Sequence, residues 1–120
     1  RLRLPYGTSM SNYYESADLK KFGDIGQHAK QLADDFFKYY GDVTGTDGAL
    51  SKREKALIAL AVSHAQKCPY CIDAYTTQCL ETGANPEQMM EAVHVAAVMQ
   101  AGITLVHSVQ MQNHLKKLVL

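Results

Sequence analysis

Two cysteines, Cys68 and Cys71, stand on either side of Pro69 and Tyr70. The thiolate is the nucleophilic form of cysteine, and a free thiol is mostly protonated at neutral pH. Pro69 suits the first position of a helix, where its missing N–H would be unpaired in any case. The pair therefore sits at a helix N-terminus, whose unpaired N–H groups carry about half a positive charge and favour a thiolate. Two intervening residues place the second sulfur one turn further on, within disulfide reach of the first. One sulfur can attack an oxidant and the other can resolve the resulting sulfenic acid as a disulfide. His64, four residues before Cys68 on the Leu57, Leu60 and Ala61 face of the preceding helix, is a candidate base or cationic neighbour.

The competing readings of this motif are structural. Zinc normally takes four ligands, usually from two such pairs, and this chain has one pair plus Cys79 and scattered histidines. Free cysteines are also often inert core residues. A thioredoxin fold would need a strand before the motif and a sheet around it. Cys79, two turns beyond Cys71, reads as core. Glu91 and His94 make a single ExxH, whereas di-iron bundles need two copies and two further carboxylates. His107 and His114 are seven residues apart, a poor spacing for joint ligation. Met89, Met90, Met99 and Met111 read as core and interface filler. No metal or cofactor is expected.

The elements that must hold the pair are helices. Ser51 and Glu54 form a capping box, each satisfying a backbone N–H at the start of a helix. The run Ala56 to Val62 is wholly apolar, which predicts a central helix buried on most sides and ending near Gln66 and Lys67. The CxxC helix then runs to about Thr82, with Gly83 as its stop. Asn85 and Gln88 form a second capping box with Pro86 at the first helical position. From there to Leu118 the pattern is helical, and Gly102, followed by β-branched Ile103 and Thr104, marks the expected break. Upstream, residues 18–40 read as a first helix with Phe22, Ile25, Leu32 and Phe36 on one face. Gly23 and Gly26 oppose that helix, at a cost of about 1 kcal/mol each. Residues 1–17 read as an irregular segment, with Tyr6, Tyr13 and Tyr14 available to pack on a core or a neighbouring subunit. Residues 18–120 form a single domain. The fold class is all-α, a compact bundle of five or six helices.

Composition limits the rest. A chain of 120 residues suits one domain, and 47 % apolar residues suit a packed core. Twelve basic residues balance twelve acidic ones, which gives no electrostatic case for nucleic acid or an anionic membrane. The chain is read as having no long apolar stretch free of charge, so no transmembrane helix is expected. Arg1 to Pro5 is too short and broken for a signal peptide. Three cysteines without a spread-out pairing pattern point to a reducing, cytoplasmic compartment.

The stretch from Leu50-Ser51-Lys52-Arg53-Glu54 through the apolar run to Cys68-Pro69-Tyr70-Cys71-Ile72-Asp73-Ala74 resembles the carboxymuconolactone decarboxylase family. The branch it resembles is typified by alkyl hydroperoxidase D. The Gly83 stop and the alanine-rich segment from Glu91 to Ala101 fit as well, so the resemblance covers about residues 36–118. It implies an all-helical trimer or hexamer with the CxxC near a subunit interface. It also implies that Cys71 attacks the hydroperoxide and Cys68 resolves it. The family's peroxidases relay a proton through a glutamate twelve residues before the first cysteine and a histidine four after the second. This chain has Ala56 and Tyr75 there.

Two functions of different class follow. The first is a thiol oxidoreductase that reduces a hydroperoxide or a small disulfide and is recharged by an unidentified dithiol donor. The second is a non-enzymatic oligomeric redox-sensing or binding module that has lost the relay. On the first reading His64 takes the role of base, the role histidine most often fills near neutral pH. Tyr75, a poor base at neutral pH, serves as hydrogen-bond donor. The alternative for His64 is a packed helix histidine turned away from the sulfurs.

Overall fold

The computed structural model describes residues 14–119, and every regular element among them is helical. A 3-10 helix, Ser16–Gly26, is followed by α1 (Lys30–Thr44), α2 (Lys52–Ala65), α3 (Pro69–Glu81), α4 (Pro86–Val106) and α5 (Ser108–Val119). The all-α expectation holds. Tyr6 and Tyr13 lie outside the described residues.

The first helix is split where one was expected over 18–40. The tighter 3-10 winding ends at Gly26, and a Cβ there would come within 3.1 Å of the Ala33 side chain. The chain turns at this close approach and restarts as α1. The packing face of α1 also differs from the expected one. Ala33 is buried and Phe37 and Tyr40 are half-buried, whereas Leu32 is 75 % exposed. Both stripes of α1 are apolar. Phe22 packs edge-on against Phe37 at 5.0 Å and lies 6.2 Å from both Phe36 and Tyr40, so it touches both stripes.

Helices α2 and α3 form the centre. Ala56 and Leu60 of α2, Tyr75 and Cys79 of α3, and Ala84 make one buried cluster, with Met89 of α4 packed against it. The apolar run of α2 is nevertheless buried on one side only: Ile58 and Val62 are more than half exposed. The capping boxes of α2 and α4 are both formed.

Helix α4 packs along α2, with Ala96 buried and Gln100 donating to the Ala65 carbonyl. It runs straight through Gly102, where a side chain would meet nothing, and the break comes at His107. There Thr104, His107 and Ser108 each bond a carbonyl of the preceding turn. Such local side-chain bonds compete with the backbone ladder and bend helices. Residues 92–115 contain no Asp, Glu, Lys or Arg, so the expectation of no uncharged apolar stretch is corrected. By length and composition alone, Pro86–Leu118 is long and apolar enough to cross a membrane.

The outer faces of α4 and α5 carry Val95, Val98, Met99, Leu105, Val109 and Met111, all exposed. The radius of gyration is 20.3 Å, against about 14 Å for a compact domain of this length. The accessible surface is 9847 Å², against about 6,500 Å² for a folded monomer of this mass.

Candidate functional site

Helix α2 ends in a Schellman motif. The Cys68 N–H reaches the Ser63 carbonyl at 3.0 Å and the Lys67 N–H reaches that of His64 at 3.2 Å. Lys67 occupies the left-handed residue of this motif, at φ 54°. That conformation is unfavourable for any residue with a Cβ. The next residue, Cys68, is already the N-cap of α3, and Pro69 opens that helix. The corner therefore has no spare residue, and Cys68 is held by the end of one helix and the start of the next.

The Cys68 Sγ accepts the Cys71 N–H at 3.4 Å, the bond an N-cap side chain makes. The two sulfurs are 2.8 Å apart and unlinked. Both line a cavity of about 300 Å³ whose wall includes the rings of Phe22, Tyr40, Tyr70 and Tyr75, with the charged Asp18 and Lys21 beside them. The 3-10 helix closes one side of it through Leu19 and Phe22. This segment is tied to the CxxC helix: Tyr14 and Ser16 donate to the Asp73 carboxylate at 2.8 and 2.9 Å, and the Tyr14 ring packs edge-on against Tyr70 at 4.7 Å. These two hydrogen bonds hold the Asp73 carboxyl below its usual range.

The environments of the two thiols differ. The neighbouring Cys71 thiol, and then the N–H groups of Cys71 and Tyr70, hold Cys68 below the usual cysteine range. Burial, and then the neighbouring Cys68 sulfur, push Cys71 up to about 11. Ser63, itself buried, hydrogen-bonds Cys71.

A model of the carboxymuconolactone decarboxylase family matches residues 30–112. The chain belongs to that family. A relative from Paracoccus denitrificans, described as uncharacterized protein 4 in cox locus, is 47 % identical over 75 residues, which is 62 % of this chain and 68 % of the relative. No solved structure matches the chain.

The residues singled out in the sequence fall into two groups. Cys68, Cys71 and Tyr75 come together on the cavity. His64 lies in a separate shallow groove with Lys67, Pro69 and Asp73, and its Nδ1 is bonded to the Leu60 carbonyl at 2.8 Å. At the two positions where family peroxidases carry a proton relay, Ala56 is a buried methyl and Tyr75 is a buried phenol in the same cluster. The Tyr75 hydroxyl is hydrogen-bonded to that of Tyr40, whose phenol is pushed well above its usual range by burial and then by this bond. Tyr40 and Ser63 were not legible as site residues. Tyr40 comes from a helix distant in sequence, and Ser63 looks like any serine inside a helix. Cys79 is fully buried, as expected. Among the described residues, no three His, Cys, Asp or Glu side chains are grouped to hold a metal ion.

Proposed function

We propose that this chain is a dithiol oxidoreductase that reduces a hydroperoxide, or a small disulfide, by closing a Cys68–Cys71 disulfide that a dithiol donor then reopens. The observation that carries this reading is the 2.8 Å sulfur pair at the wall of a cavity lined in part by aromatic rings. One sulfur lies at a helix N-cap, where a thiolate is stabilised. The alkyl hydroperoxidase D-like branch is the part of the family this chemistry fits. The rings in that wall suit an organic substrate, and Tyr75 contributes a hydroxyl.

The working form is a homo-oligomer, a trimer or hexamer. Its support is the accessible surface, about half again that of a compact monomer of this mass, and the exposed apolar faces of α4 and α5. Second copies suit these faces better than lipid, because Gln110, Gln112, Asn113 and His114 interrupt α5. Neither nucleic acid nor membrane is a partner, and the compartment is a reducing cytoplasm.

The test is to mix reduced protein with cumene hydroperoxide, or with a small aromatic disulfide, and follow the mass of the peptide carrying the CxxC. Loss of two hydrogens, reversed by a dithiol, is expected. A pair that stays reduced with both oxidants would leave the non-enzymatic module as the better reading, which the Ala56 and Tyr75 substitutions of the relay favour. Light scattering at micromolar concentration should report a multiple of the 13.3 kDa chain mass. A monomeric mass would remove the assembly.

A further inference from the structure

We propose that Cys68 is the attacking sulfur in this chain, and that Cys71 acts first as proton donor and then as resolving thiol. This reverses the order implied by resemblance to the family's peroxidases, and it rests on the dithiol reading given above.

Three helices in this chain begin with the same pair of positions, the N-cap and the residue three further on. In α2 the Ser51 Oγ accepts the Glu54 N–H at 3.1 Å, and in α4 the Asn85 Oδ1 accepts the Gln88 N–H at 2.8 Å. In α3 the Cys68 Sγ stands in the same acceptor position and takes the Cys71 N–H. A neutral thiol accepts weakly, whereas an ionised acceptor at a helix N-terminus makes a stronger, charge-assisted bond. In both capping boxes the later side chain also reaches back toward the N-cap. Cys71 does so too, placing its sulfur 2.8 Å from that of Cys68. The backbone N–H of Cys71 is aimed at the Cys68 sulfur, so the helix terminus favours the thiolate on Cys68 and leaves Cys71 as the protonated member of the pair. The depressed Cys68 thiol and the raised Cys71 thiol agree with this placement.

The Ser63 hydrogen bond favours ionised Cys71, but the rest of its surroundings, burial first, disfavour it as the attacking thiolate. A thiol that must ionise needs a base. The position of the family's glutamate holds the Ala56 methyl, and the position of its histidine holds Tyr75, whose hydroxyl is paired with Tyr40. His64 is bonded to the Leu60 carbonyl in a different groove. Cys68 needs no side-chain base, because the helix terminus and the Cys71 S–H stabilise its thiolate directly.

The steps balance. The Cys68 thiolate attacks the terminal oxygen of a hydroperoxide ROOH, forming the S–O bond of a sulfenic acid as the O–O bond breaks. The departing RO⁻ takes the Cys71 proton and leaves as ROH. The Cys71 thiolate so formed attacks the Cys68 sulfur, and the S–S bond forms as hydroxide leaves. That hydroxide combines with the proton Cys68 had released to solvent. ROOH and two thiols become ROH, water and a disulfide.

The test begins with wild-type protein. Reduced chain is alkylated briefly with iodoacetamide at neutral pH, and peptide fragmentation locates the label. Cys68 should be labelled at least about tenfold faster than Cys71, the preference that one unit of separation in thiol pKa gives. In Cys71→Ser a hydroperoxide should leave a sulfenic acid on Cys68 that dimedone traps. Cys68→Ser should react no faster than an unactivated thiol. Preferential labelling of Cys71, with rapid sulfenic acid formation in Cys68→Ser and none in Cys71→Ser, would overturn the reversal. It would leave the dithiol function standing, because the wild-type disulfide would still close. Absence of a disulfide in wild type and of a sulfenic acid in both variants would remove the function and the reversal together.

Discussion

The corner between α2 and α3 and the corner between α3 and α4 are built on one plan and serve different ends. Both close the earlier helix with a Schellman motif. In the second corner the Ala84 N–H reaches the Cys79 carbonyl at 2.9 Å and the Gly83 N–H reaches that of Leu80 at 3.2 Å. Both open the next helix with proline, Pro69 or Pro86. The second corner uses the residues that relax such a turn: Gly83 takes the left-handed position at φ 93°, and Asn85 with Gln88 makes a complete capping box. The first corner puts Lys67 in the left-handed position and two cysteines where the amides would stand. It is also shorter, since Cys68 closes one motif and opens the next. Strain of roughly 1–3 kcal/mol per residue held in sparsely populated backbone conformations clusters at functional sites. The same chain therefore contains a structural corner and a chemical one, and capping geometry is what brings the two sulfurs together.

The largest contrast is expected at the N-caps. Cys68→Ser should remove the disulfide and drop hydroperoxide turnover to background while the helix stays capped by the serine hydroxyl. Asn85→Ala should leave turnover intact and cost about 1 kcal/mol in urea unfolding. Comparable turnover losses in the two variants would erase the distinction between the corners.

Both corners rest on the cluster that includes Leu60, 2 % exposed and among the largest fully buried side chains. Leu60→Ala should cost about 2–5 kcal/mol in chemical denaturation. An unfolding midpoint close to wild type would mean that the monomer core does not support the corners.

The left-handed positions should respond in opposite directions. Gly83→Ala should destabilise by about 1–2 kcal/mol, from backbone strain alone, because a Cβ there meets no neighbour. Lys67→Gly should relieve strain and stabilise by at most about 1 kcal/mol, the gain being offset by the freer unfolded chain. Thermal unfolding of both variants reads the difference, and destabilisation by Lys67→Gly would show that the lysine is not strained.

A further contrast is a pH dependence at the chemical corner. Cys71 has a folded pKa of about 11, above the usual cysteine range. The unfolded chain ionises this thiol first, so above the unfolded pKa the folded state binds the extra proton. The stability it contributes is complete below about pH 9 and is lost as pH rises toward 11. Cys71→Ala should flatten the alkaline limb of the stability profile, and an unchanged slope would indicate that Cys71 titrates normally.

Much of this was legible in the chain itself. Ser51 with Glu54, Pro69, and Asn85 with Gln88 marked the starts of α2, α3 and α4, and Gly83 the end of α3, within a residue or two, because caps and stops act through bonds between near neighbours. The cysteine pair at a helix start was legible for the same reason. Three features needed the tertiary structure. The packing face of α1 was ambiguous because two adjacent stripes are apolar, and which of them is buried is decided by the elements that pack on it. The bend near the end of α4 was expected at Gly102 and lies at His107, where several hydroxyl and imidazole bonds act together. The orientation of His64 and the presence of Tyr40 beside Tyr75 depend on which helices meet at the cavity. Spacing along one helix specifies none of these, since each is decided by contacts between residues far apart in the chain.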